Sequence, residues 1–299
     1  MSASAGKTGT ASLMPDKQQG YVSTCPVGCA SQLTATDLVL PEGPLLRCPT
    51  CGQLVSQVTA ARYWETMEQF DRADFNQPTG RALARRQSVS RRRLRAIAAL
   101  LGKDPATARL LDVGCSRGLF VEAAAHSGFR AEGVEPAPRL AAAAREAGLN
   151  VHTGLLEEQR FPAESFDAVT LFEVVEHLKD PRSLLSECHR ILRPGGILLL
   201  STGNTDSWTV SVVGARWDYF QIALDGGHIS FFNPESIRQL AQACGFAVAR
   251  IETSRVKFYE KGEVAAWRYA VTKFAAELLN YPARLFRKGH GMLAYLRRV

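Results

Sequence analysis

The sequence predicts an α/β protein, an open parallel sheet covered by helices on both faces with a small cysteine-rich segment before it. From Arg109 onward, short apolar runs alternate with helical stretches in a steady rhythm, the pattern of a parallel sheet with crossover helices. Four of the seven cysteines, Cys25, Cys29, Cys48 and Cys51, fall within the first fifth of the chain. The composition, 46% hydrophobic and 22% charged over 299 residues, suits one sizeable globular domain with a small appendage.

Residues 1–20 are small and polar and carry no apolar core that could act as a secretion signal. They are expected to form a disordered tail on a cytoplasmic protein. Nothing in the chain approaches the ~18 consecutive apolar residues of a membrane span.

Residues 21–60 are rich in turns. "CPVGC" supplies Cys25 and Cys29, and "CPTC" supplies Cys48 and Cys51. Two close pairs separated by some twenty residues fit a zinc ribbon, each pair on a knuckle turn and one structural Zn2+ held by four thiolates. Four unrelated buried cysteines are the plainer reading, and the proline and glycine neighbours argue against it. Cys115, Cys188 and Cys244 are ungrouped and fit a core.

Residues 61–104 form a helical, basic segment, with seven arginines between Arg81 and Arg95. Such a run is usually a solvated helix face, and the same pattern serves nucleic acid or an anionic membrane surface. The net charge of +7 is compatible with each.

Residues 105–299 carry the alternating pattern. RLLDV is strand-like, GLFVEAAAHSG helical, RAEGVE strand-like and PAPRLAAAAREAG helical, with prolines where a first turn tolerates them. NVHTG and FDAVTLF are strands, DPRSLLSECHRIL is a helix stopped at Arg193-Pro194-Gly195-Gly196, and ILLLST is a buried strand. Asn233-Pro234-Glu235 opens a helix with a capping asparagine, Gly245 closes it, and FAVARIETSRV is a strand. In open sheets of this kind the ligand sits beyond the carboxyl ends of the strands. The turn after RLLDV, "GCSRG", is therefore the first candidate site. A dinucleotide fingerprint needs glycine at 114, 116 and 119; the chain has Gly114, Ser116 and Leu119, which fits poorly.

The pattern Asp112-x-Gly114-x-x-x-Gly118 resembles the first motif of class I S-adenosylmethionine-dependent methyltransferases. The likeness runs on through Glu135 at the end of the second strand, "FDAVTLFEVVEHLKDP" and "LRPGGILLLST". It implies a Rossmann-like, seven-stranded, mostly parallel sheet whose last strand, in HGMLAYLRRV, is antiparallel. It implies S-adenosyl-L-methionine as cofactor, with Asp112, Gly114, Ser116 and Gly118 around its methionine part. Glu135 would take the ribose hydroxyls, Leu155 and Leu156 would lie along the adenine, and Phe172 and Glu173 would face the cofactor from the other side. Gly114 and Gly118 are expected to let backbone pass close to the cofactor. Ser116 replaces a glycine and is expected to modify the cradle without breaking it.

Methyl transfer needs alignment and, for a protonated nucleophile, a base. The long aromatic segment after the fifth strand contains His228, the first candidate base, ahead of His177 and Asp225; each histidine also has a packing or capping reading. A cysteine ribbon on this domain resembles bacterial enzymes that methylate sugars, glycolipids and small metabolites, and "EVVEHLKDP" resembles ubiquinone-pathway O-methyltransferases. Together they imply O-methylation of a small-molecule, saccharide or lipid-linked acceptor. An RNA methyltransferase using the ribbon and the arginine helix is the rival, disfavoured for exocyclic amines because Phe172-Glu173-Val174-Val175 stands where an Asn/Asp-Pro-Pro-aromatic motif would be. A non-catalytic cofactor-binding module is the third reading.

Val264, Trp267, Val271, Phe274, Leu278, Tyr281 and Leu285 recur at alternating three- and four-residue steps, one apolar seam on a helical insertion near 263–287. The seam is expected to pack on its own domain, and Pro282 to kink or end the helix. With Arg284, Arg287 and Lys288 beside it, the same helix suits peripheral contact at the inner face of a membrane.

Overall fold

A computed structural model describes residues 20–71, 78–221, 227–259 and 262–299. The tail and Asp225 lie outside the described residues. The ribbon segment forms β1 (Thr34–Leu40), β2 (Gly43–Arg47) and β3 (Leu54–Val55), followed by helices α1 (Ala60–Met67) and α2 (Gly80–Leu101). The alternating part then runs β4 (Arg109–Val113), α3 (Leu119–His126), β5 (Arg130–Glu135), α4 (Pro138–Glu146), β6 (Val151–Thr153), β7 (Phe166–Phe172), α5 (Pro181–Ile191) and β8 (Leu192–Gly203). It ends with α6 (Trp208–Val213), β9 (Ser230–Phe231), α7 (Pro234–Ala243), β10 (Phe246–Thr253), α8 (Ala266–Leu285) and β11 (Gly291–Arg298).

Seven strands form the main sheet in the order β10-β11-β8-β7-β4-β5-β6, with β11 antiparallel to both its neighbours. The chain runs outward from β4 through β5 to β6, then returns to lay β7 on the other side of β4. That reversal opens a crevice at the carboxyl ends of β4 and β7. The central strands are apolar on both faces because each face is covered. Leu111, Val169, Leu198 and Leu200 meet α5 and α7 through Leu185, Ile191 and Leu240. The alternate residues Leu110, Ala168 and Leu199 meet α2 and α3 through Leu94, Ile97, Phe120 and Ala124.

Local signals set the boundaries. Asp180 caps α5 by accepting from the N–H groups of Arg182 and Ser183, with Pro181 at the first helical position. Asn233 and Ser236 form a reciprocal capping box on α7. The expected stop at Arg193–Gly196 comes sooner: α5 ends at Ile191 and those residues already belong to β8.

Pro282 lies inside α8, which continues to Leu285, so the proline does not end the helix. A second expectation about α8 is corrected. The seam does not pack on its own domain: Trp267, Val271, Phe274, Leu278, Tyr281 and Leu285 are each more than 60% exposed. Ala276 and Ala283 face inward instead, against Val256, because small side chains let the helix approach closely.

The ribbon is not a free appendage. Its antiparallel sheet has the order β1-β2-β3-β9, with Leu54 opposite Phe231 and Val55 opposite Ser230. Leu40, Leu45 and Leu54 share a core with Trp217, Phe220 and Phe231 of the segment after β8.

Candidate active site

The turn after β4 is held in a left-handed conformation at three points, Gly114 (φ 72°), Ser116 (φ 51°) and Gly118 (φ 77°). A Cβ at Gly114 would stand 2.7 Å from Val174 Cγ2, and one at Gly118 would stand 2.4 Å from Leu149 Cδ1. The two glycines therefore answer to positive φ and to the protein's own packing. Ser116 takes the φ that glycine prefers, which costs on the order of 1 kcal/mol. Its N–H donates to Glu135 Oε2 at 2.7 Å, and its hydroxyl is buried with no hydrogen-bond partner. An orphaned hydroxyl inside a turn is a natural place for a ligand's polar group.

Two acids lie beneath the turn on neighbouring strands. Asp112 is 3% exposed and accepts from the Thr170 hydroxyl at 2.6 Å. Burial pushes its carboxyl up to about 7, and the nearby Glu135 adds to the shift. Glu135 also accepts from the N–H of Ala137 at 2.9 Å, so the acid expected at the ribose also ties the turn to the start of α4. Burial raises its pKa despite those two backbone bonds.

Arg93 is the one member of the arginine run whose side chain reaches this site. Its guanidinium lies 4.6 Å from the centre of the Phe172 ring, burial lowers its pKa, and Glu173 and Asp112 attract it. Arg81, Arg85, Arg86, Arg91, Arg92 and Arg95 are exposed. Only the helical register separates Arg93 from them, so reading the run as a single feature missed it.

Phe172 packs edge-on against Phe120, and Glu173, at φ 56°, accepts from the Ser201 hydroxyl at 2.6 Å. Leu155 is exposed, whereas Leu156 is buried in the core cluster that includes Leu111 and Val134. Glu176, part of the matching motif but given no site role from the sequence, is fully buried; burial and the neighbouring Glu173 raise its pKa well above its ordinary value.

His177 and His228, separated by fifty residues, come together with ring centres 4.7 Å apart. Tyr219 extends the row at 5.0 Å from His228, and Phe70 closes it at 5.3 Å from His177. His228 Nδ1 lies 3.0 Å from the Tyr219 carbonyl oxygen. A carbonyl only accepts, so Nδ1 carries the proton and Nε2 holds the lone pair. Burial holds the imidazole pKa down to about 4, so the ring is neutral across the physiological range. The Tyr63 hydroxyl donates to the His177 carbonyl at 2.8 Å, and Ile229 N–H donates to the Glu176 carbonyl at 2.9 Å, which fixes this turn from both sides.

The side-chain sulfurs of Cys25, Cys29, Cys48 and Cys51 all lie within 4.8 Å of one another. Four sulfurs arranged tetrahedrally about 2.3 Å from a zinc ion stand roughly 3.8 Å apart. Each pair sits on a turn closed by a glycine N–H, Gly28 to the Cys25 carbonyl and Gly52 to the Cys48 carbonyl, both at 2.9 Å. Asn233 Nδ2 donates to the Cys51 carbonyl at 3.1 Å, so the cap of α7 is also a buttress of the cysteine cluster.

The fold and the turn match known proteins. The family model described as a methyltransferase domain matches residues 83–251, more than half of the chain. The chain belongs to this methyltransferase family. A ubiquinone biosynthesis O-methyltransferase of Xanthomonas axonopodis pv. citri is 40% identical over 123 residues, 38% of this chain and 52% of that protein. A protein of the same name from Cereibacter sphaeroides is 35% identical over 147 residues, 46% of this chain and 59% of its own length. The chain thus spans about half the length of the curated relatives it matches. Among solved structures, a SAM dependent methyltransferase from Archaeoglobus fulgidus shares the fold with a TM-score of 0.51 at 20% identity, covering 71% of this chain and 94% of that one. S-adenosylmethionine is the cofactor of this methyltransferase family, and the orphaned Ser116 hydroxyl and the buried Asp112 suit its methionine carboxylate and ammonium respectively.

The turn separates strain from recognition experimentally. Ser116→Gly removes the backbone strain and raises the thermal midpoint, whereas Ser116→Ala keeps the strain and loses the hydroxyl. Calorimetric titration with S-adenosylmethionine is expected to show about fivefold weaker binding for the alanine variant, the worth of one hydrogen bond. Unchanged affinity for Ser116→Ala would remove the hydroxyl from the cradle.

Proposed function

We propose that the protein transfers the methyl group of S-adenosylmethionine to an oxygen of a small-molecule, saccharide or lipid-linked acceptor. The observation that carries this reading is the pairing of His177 with His228 in an aromatic row on the same protein as the glycine turn. Bound at that turn, S-adenosylmethionine supplies a methyl carbon activated by its sulfonium.

Asp112 would hold the ammonium, Ser116 and Arg93 would hold the carboxylate, and Phe172 with Glu173 would border the cofactor from the other side. His228 Nε2, which holds a lone pair, would accept the acceptor's hydroxyl proton during methyl transfer. Tyr219 keeps His228 in the tautomer that this role needs. The name shared by the curated relatives supports an oxygen acceptor. The aromatic row supports a flat or apolar substrate against which rings can stack.

The test combines the purified protein, methyl-labelled S-adenosylmethionine and a host extract separated into lipid, glycan, small-molecule and RNA fractions. Label is expected in one of the first three. With the acceptor in hand, His228→Ala is expected to lower kcat by about a hundredfold with little change in cofactor affinity. Label confined to RNA contradicts the acceptor class, and unchanged turnover removes His228 as the base.

We further infer that Cys25, Cys29, Cys48 and Cys51 hold a structural Zn2+ in a reducing, cytoplasmic setting. A closed set of four thiolates favours zinc and leaves no open position for chemistry. Because β9 and Asn233 join the ribbon to the segment bearing His228, zinc loss should disturb both. Elemental analysis is expected to find one zinc per chain, and chelation to lower the thermal midpoint and methyl transfer together. A zinc-free protein with the same midpoint and activity would overturn this assignment.

A further inference from the structure

Helix α8 is the least buried long element among the described residues. It touches the rest of the protein through Ala276 and Ala283, with Leu279, Trp208 and Phe258 around Val256. At 100° per residue these alanines lie on the opposite side of the helix from the seam. Trp267, Val271, Phe274, Leu278, Tyr281 and Leu285 therefore point straight out, from 61% to 80% exposed. Over these residues the seam is about 27 Å long at 1.5 Å per residue. A continuous aromatic and aliphatic stripe of that length is an interaction surface, since scattered single apolar residues would need no explanation.

Charge and position select the occupant. From 266 to 288 the chain carries Arg268, Lys273, Arg284, Arg287 and Lys288 against a single acid, Glu277. A second copy would bring this basic surface against itself, whereas an anionic bilayer complements it. No helix of the described residues is long and apolar enough to cross a membrane, so α8 can only lie flat on one. Both its ends are tied to the edge of the sheet where the cofactor crevice opens: it follows the carboxyl end of β10 and precedes Gly291, which pairs with Gly203 at the end of β8.

We propose that α8 is an interfacial helix that docks the protein on an anionic lipid bilayer. The seam enters the boundary between headgroups and acyl chains, the aromatic rings sit at headgroup depth, and the flanking basic side chains meet lipid phosphates. Docking turns the carboxyl edge of the sheet toward the membrane. The proposal goes beyond the methyl-transfer reading and does not depend on it.

Co-sedimentation of the full-length protein with vesicles of equal parts phosphatidylcholine and phosphatidylglycerol tests it. Binding is expected to weaken with added salt and to be lost on pure phosphatidylcholine. Phe274→Glu with Leu278→Glu changes only solvent-exposed positions, so the fold is retained, and the pair should reduce partitioning at least about tenfold. Arg284→Glu with Lys288→Glu should reduce it on anionic vesicles and leave the thermal midpoint unchanged. Absence of vesicle binding by the wild-type chain overturns the proposal. So does a dimer in sedimentation analysis that covers the seam, dissociates in Phe274→Glu/Leu278→Glu and does not bind vesicles.

Discussion

Asp112 and Glu135 are buried on neighbouring strands beneath the glycine turn, and the site is organised by where their charge is met. Glu135 places its two oxygens on the N–H groups of Ser116 and Ala137 and so fixes the turn against the start of α4. Asp112 accepts from the Thr170 hydroxyl, and burial leaves its carboxyl titrating at about 7. Because the folded value lies above that of the unfolded chain, Asp112 makes the ligand-free protein less stable as pH rises from the ordinary carboxylate range through about 7. On the proposed reading a bound ammonium would reverse that penalty, so that an acid costly to the fold by itself would serve the liganded one.

The second organising feature is the joining of the ribbon to the segment after β8. A two-residue strand, β9, extends the ribbon sheet, and His228 lies just before it. The cysteines meanwhile lie in the same core as the central strands and α5. Rigidity supplied by the ribbon therefore reaches His228 through backbone pairing, and reaches the sheet through packing. The same connection keeps Tyr219 stacked near His228 and next to Trp217, whose rings lie close over Gly203 at the end of β8.

Much of this was legible in the sequence, for identifiable reasons. Glycines at 114 and 118, capping residues at 180 and 233 and unbroken apolar strands are local signals, and the sheet follows from their order. The paired cysteines were legible because metal spacing is also local. What escaped depends on contacts distant in sequence. A three-four periodicity says which residues of α8 share a face but not what that face meets, and the inward side is filled by alanines that carry little pattern. A strand as short as β9 has no periodicity at all. Arg93 was hidden among like residues, the burial of Leu156 beside an exposed Leu155 has no local signal, and the meeting of His177 with His228 is a product of the tertiary fold.

The central claim is that Asp112 is the cofactor's ammonium site and must lose its proton to serve. Isothermal titration of S-adenosylmethionine between about pH 5.5 and 7 tests it most directly, with Asp112→Asn as the comparison, since asparagine still accepts from Thr170. The account predicts that wild-type affinity rises with pH, approaching tenfold per unit well below the folded pKa, with proton release on binding. Asp112→Asn should bind weakly and without that slope. Wild-type affinity that is flat over this range, or an Asp112→Asn variant that keeps the same slope, would contradict it.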